Sequence, residues 1–232
     1  ASIIQVDVDQ FHGIEIEEFP VQIAQVALWL TDHQMNAQVS EEFGQYFVRL
    51  PLAKSAHIVH GNALRLDWNA VIPAAQCSFV MGNPPFIGKN YQSTMQRDDM
   101  AYIFGHLKNS ALLDYVACWY RKATDYMMQI PLDPPFSKGE VESGNLNAHT
   151  SIPPFAKGGL GGISAAFVST NSVTQGEQVG VLWPDLLRRG VQLHFAHRTF
   201  QWMSEAKGKA AVHCVIIGFG LQEASHKTIF EY

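Results

Sequence analysis

The chain has 232 residues, 47% hydrophobic and 16% charged, which excludes a disordered chain and allows one large domain or two small ones. The net charge of −5 excludes the basic excess of a stand-alone nucleic-acid binder, so any such role rests on local patches or on parts outside the chain. Cys77, Cys118 and Cys214 lie far apart without metal-ligand spacing, and no apolar run is long enough to cross a bilayer; a reduced, cytoplasmic protein is expected. The first residue is Ala, and an N-terminus that has been cut away is expected.

Phe11–Ile16 reads as a short buried strand. From Glu17 to His33 apolar residues fall at Phe19, Ile23, Val26, Ala27 and Leu30, a helical spacing. His57–His60 is a second strand, ending at Gly61-Asn62, and Cys77–Met81 a third, buried one. Leu112, Tyr115, Val116, Trp119 and Ala123 predict a helix over Ala111–Met128. Ala165–Ser169 is a strand, Gly180–Arg188 a helix, and Val191–Ala196 and Ala210–Phe219 are strands joined by a loop. Strands alternating with helices predict an α/β fold with a mainly parallel sheet covered on both faces, and the last two strands an antiparallel pair at its edge.

Residues 131–163 break this rhythm. They are rich in Pro, Gly, Ser and Asn, and Pro134-Pro-Phe-Ser-Lys-Gly139 returns 19 residues later as Pro153-Pro-Phe-Ala-Lys-Gly158. So long a structureless stretch is unusual inside a domain, and it reads as a repeat inserted in a loop.

Chemistry concentrates where the third strand ends, at Asn83-Pro84-Pro85-Phe86. The side-chain oxygen of Asn83 and the carbonyl of Pro84 are two convergent acceptors, and Pro84 and Pro85 have fixed φ and no N–H. Such a pair suits a planar amino group, with both hydrogens gripped and the lone pair turned toward an electrophile. Phe86 adds a flat face for stacking, worth ~1–3 kcal/mol for a nucleobase. Ligands of open parallel sheets bind beyond the carboxyl ends of strands, where Glu15 and Asn62 also fall.

The chain resembles the adenine-N6 DNA methyltransferases of the γ motif order, in the branch of MmeI-like proteins that fuse restriction, methylation and target recognition. The resemblance runs through Phe11-His-Gly-Ile-Glu-Ile-Glu-Glu-Phe-Pro20, Gly61-Asn-Ala-Leu-Arg-Leu-Asp-Trp68, the Asn83–Phe86 motif and Leu113-Asp-Tyr-Val-Ala-Cys-Trp119. It resumes at Phe167–Gln178 and reaches Phe200-Gln-Trp202 and Gly208–Cys214. It implies a Rossmann-like class I methyltransferase sheet, S-adenosylmethionine as cofactor and double-stranded DNA as partner, with the target-recognition region outside this chain.

The resemblance also assigns roles. Glu15 accepts the cofactor ribose hydroxyls and Ile16 lies against its adenine. Asn62, where the family often has Asp, contacts that adenine's amino group, with Asp67 as the alternative. Asn83, Pro84, Pro85 and Phe86 are catalytic. Phe200, in the loop between the last two strands, stacks on the flipped target base opposite Phe86, with Trp202 competing for the role. Arg198, Lys207 and Lys209 are candidates for phosphate contacts. No metal is implied. The family's Gly-x-Gly cofactor loop and a nuclease motif are not found in the chain, and Asp133-Pro-Pro-Phe136 is a mimic within the repeat. RNA or protein glutamine as substrate, and a non-catalytic remnant, are the rival readings.

Overall fold

A computed structural model describes residues 5–44, 54–130, 162–202 and 212–231. All of the expected insertion but Gly162 and Ile163, together with Lys207 and Lys209, lies outside them. The chain divides into two compact units, Ala1–Pro73 and Ala74–Tyr232.

In the first unit, β1 (His12–Glu15) and β2 (His57–His60) form a two-stranded parallel sheet in which Glu15 stands opposite His60. Between them runs α1 (Glu18–Phe43), whose Pro20 falls in the first turn, where its missing N–H costs nothing. The helix continues ten residues beyond the expected His33 and stops at Gly44. That residue sits at φ 61°, a left-handed C-terminal cap that glycine adopts without strain. A short helix, α2 (Trp68–Val71), follows, capped by Asp67.

The second unit holds a five-stranded sheet in the order β3-β4-β6-β5-β7, formed by β3 (Phe79–Gly82), β4 (Ser164–Thr170), β5 (Gln192–Trp202), β6 (Val212–Gly220) and β7 (Thr228–Phe230). The β3–β4 and β5–β7 pairs are parallel, whereas β6 is antiparallel to both of its neighbours. The expected single, mainly parallel sheet with an antiparallel pair at its edge is therefore corrected to two sheets, the larger one mixed. The cause is β6: as the hairpin partner of β5 it must run antiparallel, and by pairing with β4 it carries that reversal into the middle of the sheet. The unforeseen β7 then covers the far side of β5, so the hairpin is not an edge.

The helices of this unit are α3 (Thr94–Phe104), α4 (Ala117–Met127) and α5 (Val179–Arg188). Strand β4 alternates cleanly, with Ala165, Phe167 and Ser169 inward. At the centre of the core Tyr120 of α4 stacks on Phe219 (5.3 Å between rings) and meets Phe167 and Trp183 edge-on, while its hydroxyl lies 2.7 Å from Ser169 Oγ. Burial drives the Tyr120 phenol far above its ordinary range, against the opposing pull of the Ser169 hydrogen bond. Burial likewise pushes the Cys118 thiol up. A ring of ion pairs joins α4 to α5: Arg121 and Arg189 each bind both Asp125 and Asp185, at 2.9–3.3 Å.

The expected helix over Ala111–Met128 starts six residues late. A 3-10 turn covers Ser110–Leu112, and the backbone that follows bonds elsewhere: Asp114 N–H donates to Gln178 Oε1 and Tyr115 N–H to the Ile87 carbonyl. Groups committed to distant partners cannot also close helical turns.

Candidate active site

The Asn83–Phe86 motif leaves the carboxyl end of β3, as the sequence predicts. Gly82, the last strand residue, pairs with Phe167 across the β3–β4 ladder, and a Cβ at Gly82 would lie 3.2 Å from that ring. A side chain there would require the Phe167 ring to give by a few tenths of an ångström, so glycine suits the close approach. Beyond it Asn83 is exposed, Pro84 buried, Pro85 exposed and Phe86 half-buried. The side chain that would act thus faces solvent while its neighbour is packed. Strand β3 itself is not the buried strand expected, since Phe79 and Met81 on one face are exposed.

The segment after the motif is tied down. Ile87 N–H donates to the Pro85 carbonyl at 3.1 Å, the Ile87 carbonyl accepts from Tyr115 N–H at 2.9 Å, and Lys89 N–H donates to Asp114 Oδ1 at 3.0 Å. Beside it lies a cleft of about 400 Å³ whose lining includes Lys89, Ser172, Gln175, Glu177 and Gln178, with Lys89 Nζ 3.2 Å from Glu177.

Phe200 is corrected from a loop to a strand: it lies inside β5, which runs six residues past its expected end, and Trp202 is the last residue of the same strand. Phe200 pairs with Cys214, which pairs with Thr170 on β4, so one row crosses three strands. Because β5 and β4 both oppose β6, they run in the same direction. Phe200 therefore stands at the sheet end from which the motif leaves. A register shift between His197 and Phe200 marks a bulge, a device that re-aims side chains near sites. Arg198 pairs with Glu231, so its charge is already met within the chain.

The residues expected to hold the cofactor lie in the first unit. Gly61 N–H donates to the Glu15 carbonyl at 2.8 Å, which brings Glu15 and Asn62 to one end of the β1–β2 pair. Glu15 Oε1 accepts from Ile16 N–H (2.8 Å) and Glu17 N–H (3.2 Å), which fixes the carboxylate and leaves Oε2 for a ligand. Ile16 presents an exposed apolar side chain next to it. Asn62 Oδ1 accepts from Leu64 N–H at 2.9 Å and so shapes the turn after β2. Asp67 Oδ1 accepts from Asn69 N–H at 3.0 Å as the cap of α2.

A family profile described as the MmeI DNA-methyltransferase domain matches residues 1–138 and 157–231. The chain belongs to this family. It is 38% identical over 219 residues to DNA methyltransferase A of Bacillus subtilis (strain 168), covering 93% of this chain but 21% of that protein. It is also similar to the type IIL restriction-modification enzyme MmeI, solved in complex with DNA: 53% identity, TM-score 0.80, 99% of this chain and 27% of that one. The chain thus spans about a quarter or less of the length of these relatives.

Sequence reasoning missed Asp114 as part of this region, although it stood in plain view as a charged residue between the apolar Leu113 and Tyr115. It also missed α3, whose Ser93-Thr-Met-Gln96 is a capping box with both reciprocal bonds made.

Proposed function

We propose that the protein transfers a methyl group from S-adenosylmethionine to the N6 amino group of an adenine flipped out of double-stranded DNA, on a Rossmann-like class I methyltransferase fold. The observation that carries this reading is an exposed Asn83 beside a buried Pro84 at a strand end, in a chain of the MmeI DNA-methyltransferase family. The similarity to MmeI, which was solved with DNA, supports DNA as the partner.

When bound, S-adenosylmethionine supplies an electrophilic methyl carbon on a positive sulfonium. Glu15 suits it: a fixed carboxylate with one oxygen available can accept ribose hydroxyls and favours the positive charge. Ile16 offers the apolar surface for the adenine ring. Asn62 or Asp67 would contact that ring's amino group through a side-chain oxygen. Asn83 Oδ1 and the Pro84 carbonyl grip the two hydrogens of the target N6. Phe86 and Phe200 stack on the extruded base, offsetting a flipping cost of a few kcal/mol. Most of the rate comes from positioning, which in well-oriented systems supplies about 7–11 kcal/mol. The N6 proton leaves to water once the methylated amine is cationic, so no general base is assigned. Target recognition falls to a region outside these residues.

The test is labelled-methyl transfer to unmethylated DNA by the full-length polypeptide, with the product base identified. N6-methyladenine is expected, and Asn83→Ala should slow transfer by at least about 10²-fold while cofactor affinity stays within about twofold. Methyl label found only in RNA or protein, or an Asn83→Ala variant that transfers at the normal rate, would overturn the reading.

A further inference from the structure

The motif poses a mechanical problem. Asn83 Oδ1 and the Pro84 carbonyl must be held still, yet Pro84 and Pro85 offer no N–H by which their backbone could be anchored. The nearest anchors come after Phe86, and two long-range ones reach the same short segment. The Ile87 carbonyl accepts from Tyr115 N–H at 2.9 Å, and Lys89 N–H donates to Asp114 Oδ1 at 3.0 Å. Asp114 is 6% exposed. Its Oδ2 accepts a long bond from the Thr170 hydroxyl at 3.4 Å, and its own N–H donates to Gln178 Oε1 at 3.0 Å. The segment is itself held: the Leu113 carbonyl accepts from Gln92 Nε2 at 3.1 Å, and Tyr115 donates its hydroxyl proton to Asp99 at 2.6 Å.

We infer that Asp114 is a positioning residue for the methyl-transfer site, clasping the Asn83–Lys89 segment against the end of β4. This rests on the function proposed above for that segment. Asp114 touches neither substrate nor cofactor; it acts through the backbone at Lys89. Through Thr170 it also meets the row Thr170–Cys214–Phe200, so one carboxylate links the loop bearing Phe86 to the strand row bearing Phe200. What matters is a fixed acceptor oxygen rather than charge. An Asn at this position keeps that oxygen for Lys89, and its amide can donate to the Thr170 hydroxyl.

The experiment compares Asp114→Ala with Asp114→Asn in the full-length polypeptide. Two quantities are read: the single-turnover rate constant of methyl transfer to DNA, and hydrogen exchange at the Lys89 amide. Asp114→Ala should slow the rate constant by up to about 10²-fold, the cost of a small misplacement, with unchanged cofactor affinity and faster Lys89 exchange. Asp114→Asn should restore both. A reduced amplitude with an unchanged rate constant means that Asp114 serves folding alone, and overturns the inference; so does an Asn variant as slow as the Ala variant. If the wild-type protein methylates no DNA, it is the proposed function that fails. Lys89 exchange then decides the clasp by itself, and unaltered protection in Asp114→Ala overturns it.

Discussion

The two units treat their apolar side chains in opposite ways. The second encloses Tyr120, Phe104, Phe167, Phe219, Leu113, Leu182 and Leu186 completely or nearly so, between its sheet and α3–α5. The first encloses Leu64, Val8, Ala56 and Trp68 but leaves Phe19, Ile23, Val26 and Leu30 of α1 exposed, at spacings of four, three and four that form one stripe. Within the second unit β3 departs from this, with Phe79 and Met81 exposed beside the Asn83–Phe86 motif. A helix stripe in a sequence therefore says which residues share a face, and only the surroundings decide whether that face is a core.

The sharpest test of the contrast is Tyr120. It is fully buried, touches three aromatic rings and answers the buried Ser169 hydroxyl. Tyr120→Ala should destabilise the second unit by about 3–5 kcal/mol, seen as an early unfolding transition in denaturant. Tyr120→Phe keeps the rings but orphans Ser169, at about 1–3 kcal/mol. If both variants lost less than about 1 kcal/mol, the second unit would not own the tight core described here.

An intermediate effect is expected at the ring of ion pairs. Asp185 is nearly buried and receives both Arg121 and Arg189, so removing it leaves two guanidiniums to share Asp125. Partly buried pairs fall between the ~0–1 kcal/mol of surface bridges and the 3–5 kcal/mol of broken buried ones. Asp185→Ala should cost about 1–2 kcal/mol, and a double-mutant cycle with Arg121→Ala should show coupling of the same order. Additive losses would mean that the ring is incidental and that α4 and α5 are held by packing alone.

These elements also show what a sequence can and cannot carry. Strands β1 to β4, β6 and helix α5 were legible because local apolar runs end at turn residues such as Gly61-Asn62 and Gly82-Asn83. The motif was legible because its chemistry is local: acceptors, two prolines and a ring within four residues. Sheet direction was not, because the pairing of β6 with β4 depends on residues some fifty positions apart in the chain, and no local pattern encodes it. The late start of α4 was hidden for the same reason, since the N–H groups of Tyr115 and Asp114, just before it, bond to Ile87 and Gln178. Phe200 read as a loop residue because the polar Arg198, Thr199 and Gln201 mask a strand whose face turns at a bulge. The clasp by Asp114 combines these difficulties, being a charged residue inside a segment that reads as helix, with partners far away in sequence.

The smallest expected effect probes the other side of the contrast. Val26 lies 57% exposed on α1, in the middle of the stripe. Gln is a better helix former than Val by a few tenths of a kcal/mol, and an exposed substitution usually changes stability by no more than about ±0.5 kcal/mol. Val26→Gln should therefore leave the melting temperature of the first unit unchanged or slightly raised. Burying a valine fully stabilises by about 1.5–3 kcal/mol, so a loss on that scale has one physical meaning: the α1 stripe is covered in the working protein. The two units would then no longer differ in kind. Both would bury their apolar faces, the second against its own sheet and the first against a surface that its own 73 residues do not provide.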